Sequence, residues 1–103
     1  MRVMISFSIP MEEGNEAYKS GALKKLMQQY LEEHKPEAAY FAPNEDGERG
    51  GIIVVNINDS SEMIKFAEPL FLNLNARVTF RPVMNAQDLA RGMEATERVV
   101  ARN

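Results

Sequence analysis

Apolar and polar residues along the chain follow two alternating periods, and the switches between them divide it into seven elements. Residues 2–9 place Val3, Ile5, Phe7 and Ile9 on one side and Met4, Ser6 and Ser8 on the other, the period of two that marks a strand, and Pro10 ends it. Over residues 15–34 the period lengthens: Tyr18, Ala22, Leu23, Leu26, Met27, Tyr30 and Leu31 share one helical stripe, with Lys24, Lys25, Gln28, Gln29, Glu32 and Glu33 opposite. Lys35-Pro36 closes this long helix, because the residue before a proline is pushed out of the helical region and basic side chains suit a helix C-terminus. A short strand around Ala39, Tyr40 and Phe41 leads into a run of turn formers at residues 43–51, so a hairpin is expected. Its second arm, residues 52–57, is β-branched and continuously apolar, as in a central strand covered on both faces. A helix capped by Asp59 or Ser60, with Glu62 placed for a capping box, runs through residue 73; Pro69 within it predicts a kink or two short pieces. Residues 76–84 alternate again, with Pro82 indicating an edge strand or bulge, and a last helix spans residues 86–100 behind an Asn85 cap.

The order strand, helix, strand, strand, helix, strand, helix defines an α+β class: a ferredoxin-like βαββαβ sandwich with a C-terminal helix, one domain over residues 1–103. Helices then cover one face of the sheet. The other carries Met4, Ser6, Ser8, Arg77, Thr79, Arg81 and alternate residues of 52–57, a mixture poorer in Lys and Glu than a solvated face. A second copy of the chain is the economical cover, so a homodimer is expected.

Composition narrows the class further. The 103 residues are 45% hydrophobic and 26% charged, an ordinary globular balance. Without cysteine there is no disulfide, thiolate metal site or cysteine nucleophile, and a cytoplasmic location is the default expectation. The apolar opening stretch is cut by Arg2, Ser6 and Ser8, lacks the small-residue cleavage site of a signal peptide, and is too short to cross a bilayer, so neither is expected. A formal net charge of -3 with scattered basic residues, and no aromatic ring in residues 52–57, argue against nucleic acid as a partner.

The segments Gly51-Ile52-Ile53-Val54-Val55, Phe66-Ala67 and Val78-Thr79-Phe80-Arg81-Pro82-Val83-Met84 resemble the second half of small dimeric α/β-barrel proteins. They look most like an uncharacterised domain family of that superfamily, whose last strand ends in a hydrophobic-x-Pro-Val segment followed by an acidic turn, here residues 85–88. The detailed resemblance covers residues 50–90, and the rest follows by element order. It implies a ferredoxin-like protomer whose sheet packs against its twin to form a shared barrel. Superfamily members include cofactor-independent monooxygenases, muconolactone isomerases and chlorite dismutase-like haem enzymes. The function implied is that of a small-molecule-binding homodimer, of oxygenase or isomerase type on a compact hydrophobic or aromatic substrate, with no cofactor expected. A non-catalytic self-association or regulatory module is the alternative. The chain departs from the pattern by lacking Trp and by placing Pro69 in its second helix, and no catalytic residue carries over.

Candidate chemistry is sparse. His34, the single histidine, is the obvious general acid or base, and its position in the last turn of a helix is equally explained by the helix dipole. Arg77 and Arg81 flank Thr79 on one side of the last strand, where they either hold a ligand carboxylate or pair with acids across a dimer interface. Tyr18, Tyr30 and Tyr40 offer hydroxyls to a pocket, or fill core edges with the hydroxyl in water. His34, Tyr18 and Arg81 form the candidate catalytic set, and Tyr30, Tyr40 and Arg77 the candidate ligand-binding set. A ligand in such a barrel is expected between helices and sheet. Glu12, Glu13, Glu16 and His34 lack the spacing of a metal site, and no nucleophile elbow, phosphate loop or dinucleotide fingerprint is present.

Overall fold

β1 (Arg2–Ser8) is the spine of the molecule, hydrogen-bonded on one side to β3 (Gly50–Asn56) and on the other to β4 (Arg77–Pro82). The computed structural model describes residues 1–101. β2 (Ala38–Phe41) pairs with the outer side of β3, so the four-stranded sheet has the order β2-β3-β1-β4 with every pair antiparallel. With the helices inserted between strands, this is the ferredoxin-like βαββαβ arrangement, followed by a C-terminal helix. Pro82, without an N–H to donate, lies at the end of edge strand β4 opposite Val3.

The pleat sorts the strands as their sequences predict. Val3, Ile5 and Phe7 of β1 and Ile53 and Val55 of β3 turn to the helices, where they meet Tyr30, Phe66, Leu70 and Leu74 in one core. Ile5 and Leu70, both 0% exposed, mark its centre. On the opposite face Met4, Ser6, Ile52 and Val54 are half-buried, while Tyr40, Arg77, Thr79 and Arg81 are exposed.

Three helical features differ from the sequence pattern. The long helix is two, α1 (Met11–Ser20) and α2 (Ala22–His34), divided by Gly21 at φ 83°, a left-handed conformation that glycine adopts without a Cβ clash. α1 also starts four residues earlier than expected, directly after Pro10, with Glu12 and Glu13 in its first turn where the helix dipole favours acids. The break placed at Pro69 falls instead at Met63. There a 3₁₀ turn (Ser60–Glu62), closed by a reciprocal Asp59–Glu62 capping box, feeds α3 (Met63–Leu74), which continues through Pro69. Burial of Phe66 and Ala67 before the proline and of Leu70 and Leu74 after it holds the two halves on one core, outweighing the single hydrogen bond a proline removes.

The last helix, α4 (Ala86–Ala101), begins with a reciprocal cap: the Asp88 N–H donates to Asn85 Oδ1 at 2.8 Å, and the Asn85 N–H donates to Asp88 Oδ2 at 3.0 Å. Beyond that root it stands away from the body. The molecule measures 60 × 28 × 19 Å, and its radius of gyration of 17.1 Å exceeds the roughly 13 Å of a compact chain of about 100 residues. Leu89, Met93 and Val100, one stripe of α4, are exposed.

Candidate functional site

Two clefts lie at opposite ends of the sheet, about 20 Å apart along β1 at the usual strand rise. The first, about 600 Å³, sits where β1 begins and α2 ends, and is lined by Arg2, His34, Glu37, Lys65, Phe66 and Asp88 among others. Arg2, Glu37, Asp88 and Arg91 form one charge network in it. Arg2 Nε donates to Glu37 at 2.9 Å while its Nη1 pairs with Asp88, and Asp88 also pairs with Arg91 one turn on in α4. The Asn85 N–H, with the two guanidinium groups, holds the Asp88 carboxyl below its ordinary range.

His34 forms the aromatic floor of this cleft, with ring centroids 4.4 Å from Tyr30 and 4.5 Å from Phe66. Its Nε2 is buried and has no hydrogen-bond partner among the described residues. Burial pushes the imidazole pKa down, Lys65 adds to that shift, and Glu33 opposes it. Tyr30 beside it is fully committed, its hydroxyl donating to the Phe66 carbonyl at 2.6 Å, and burial together with Glu33 holds the phenol protonated far above its usual range.

The second cleft, about 420 Å³, opens between α1–α2 and the β2–β3 hairpin. Its walls are Phe7, Ile9, Leu23, Met27 and Phe41, with the Phe7 and Phe41 rings edge to face at 6.4 Å. Two polar side chains stand among these apolar walls, Tyr18 and Arg49. The Arg49 guanidinium lies 5.5 Å over the Tyr18 ring, its Nη1 donating to Asn15 Oδ1 at 2.9 Å. No carboxylate pairs with it among the described residues. Gly14, buried in α1, makes the room: a Cβ there would stand 2.9 Å from Arg49 Nη1.

The structure therefore separates the candidate catalytic set. His34 lies in the first cleft, Tyr18 at the second, and Arg81 on the open sheet face. Of the candidate ligand-binding residues, Tyr30 packs against His34, whereas Tyr40 and Arg77 lie on that open face. Arg77 and Arg81 are four residues apart on the same face of β4, about 13 Å at the usual rise. Arg49 was invisible as a site residue because it sits among turn formers, and the glycine that accommodates it preceded the expected helix. Among the described residues no cluster of metal-ligating side chains occurs, and no helix is long and apolar enough to cross a membrane.

No protein-family model matches the sequence, and no curated protein is similar to it. Among solved structures, a formyltetrahydrofolate deformylase from Pseudomonas putida KT2440 is similar at 10% identity and a TM-score of 0.45, over 95% of this chain. The chain spans 38% of that protein's length. At that TM-score, the function has to be argued from the chain's own clefts and surfaces.

Proposed function

We propose that the protein is a homodimer that binds a compact apolar or aromatic molecule in the cleft beside Tyr18 and Arg49. The observation that carries the ligand half is an apolar cavity, between helices and sheet, that the chain leaves open instead of filling with its own side chains. An aryl group buried there removes apolar surface from water on both sides, the usual driving force for such sites. Titrating the protein with small neutral aryl compounds is expected to move the NMR resonances of Phe7, Leu23 and Met27 and to leave those of His34 in place. Movement at His34 alone would transfer the site to the other end of the sheet. Because the single histidine lies at that far end, binding is better supported than catalysis.

The homodimer rests on the open sheet face and on α4. Met4, Ile52 and Val54 present a half-buried apolar strip on the face away from the core, and α4 carries a second, exposed one, Leu89, Met93 and Val100. An isolated helix of this length is marginal in water, so packing is needed to hold it. The charges beside the two strips are complementary: Arg77 and Arg81 on the sheet, Glu94 and Glu97 on α4, none of them in an ion pair among the described residues. The occupant that matches is a second copy, with α4 of each protomer laid on the other's sheet. A chain carrying Arg77→Glu and Arg81→Glu, and another carrying Glu94→Lys and Glu97→Lys, are each expected to dimerise poorly alone and to form a heterodimer when mixed, read by native mass spectrometry. Unchanged homodimers of both variants would refute the exchange, and a monomeric parent chain would remove the dimer altogether.

A further inference from the structure

We infer that the ligand of the Tyr18 cleft carries a carboxylate, received by Arg49. This rests on the reading that the cleft takes a small apolar molecule, and adds the charged group that such a molecule bears.

Arg49 is half-buried at the edge of the apolar walls, a costly place for a guanidinium to be left without a counter-ion. Arg2, which is likewise half-buried, is paired with Glu37 and Asp88. Arg49 is instead held by neutral groups. Asn15 Oδ1 accepts from Nη1, the Tyr18 ring lies under the guanidinium, and the backbone carbonyl of Arg49 accepts from the Ile9 N–H at 2.8 Å, tying the arginine to the end of β1. These contacts orient the group without neutralising it.

They also leave one edge of the fork free. The side-chain hydrogen bond of Arg49 uses Nη1, so Nε and Nη2 remain for a bidentate, side-on pair, the geometry that matches one carboxylate. Gly14 points the same way. Glycine inside a helix lowers helix stability relative to alanine, yet here it occupies the buried face of α1 where a methyl group would collide with Nη1. Ligand chemistry follows from the pair of surfaces: a ring or short branched chain against Phe7, Leu23, Met27 and Phe41, with a carboxylate one or two bonds away on Arg49.

The test uses matched acid and amide probes: benzoate against benzamide, phenylacetate against phenylacetamide, and cyclohexanecarboxylate against its carboxamide. Each is titrated into the 103-residue chain and followed by the backbone resonances of Gly14 and Gly50 and the side-chain Nε–H of Arg49. The acids are expected to bind about tenfold or more tighter than their amides, the usual worth of a hydrogen-bonded charge partner. In Arg49→Gln that preference disappears while amide binding persists. Gly14→Ala, which improves helix propensity, is also expected to lose the preference by displacing the guanidinium. If acids and amides bind the parent chain equally, the carboxylate assignment is wrong and the apolar cleft stands. If neither set perturbs the cleft at about 10 mM, weaker than even small fragments normally bind a formed pocket, both fall.

Discussion

The two ends of the sheet treat charge and aromatic surface in opposite ways. At the His34 end, Arg2, Arg91 and Lys65 each meet a carboxylate, and the rings of Tyr30, His34 and Phe66 pack on one another. At the Tyr18 end the guanidinium of Arg49 meets no acid among the described residues, and the rings of Phe7 and Phe41 border open space. Paired groups hold the fold together at one end, whereas the proposed ligand site rests on a guanidinium held in place without a counter-ion at the other. The larger cleft carries more charge, but its two arginines already meet carboxylates, and the unpartnered atom there is His34 Nε2, packed between two rings.

The sharpest way to break this contrast is to truncate one phenylalanine at each end. Phe66 is 3% exposed and contacts both His34 and the core, so Phe66→Ala is expected to cost about 3–5 kcal/mol, measured by urea denaturation. Phe41 is 51% exposed, and Phe41→Ala is expected to cost only about 1 kcal/mol while weakening aryl ligands at the Tyr18 cleft. Similar losses of stability at the two positions would mean that Phe41 is part of the core and that the cleft is a packing defect.

Much of the fold was legible because burial is periodic. Alternation in β1 and β4 and the apolar run of β3 translate directly into strands with one face on the helices, and Asn85 and Asp59 announce the caps that the structure shows. Gly21 was harder, since a single left-handed residue splits a helix without disturbing the stripe on either side. Pro69 misled in the other direction, because local hydrogen bonding argued for a break and the core around Leu70 did not allow one. The site was least legible. Arg49 and Gly14 lie 35 positions apart and meet only in space, where a Cβ on residue 14 would stand 2.9 Å from Arg49 Nη1, and nothing local distinguishes Arg49 from the hairpin's other polar residues. His34, by contrast, stood out by residue type and proved to be packed between two rings.

That packing gives the smallest effect, visible only through pH. Burial holds the His34 pKa below its ordinary value, so between about 6.5, where an unfolded chain titrates, and the lower folded value, unfolding takes up a proton. The contribution to stability is fully present above pH about 6.5 and is lost as the pH falls towards the folded value. In His34→Gln that part of the slope should vanish, leaving the parent and variant curves converging on the acid side. The comparison is made from urea midpoints across this range, with the histidine Cε1–H shift followed in parallel by NMR. A histidine that titrates at or above about 6.5 in the folded protein would place water or a carboxylate on Nε2, and the His34 end would then have to be reconsidered as a receiving site.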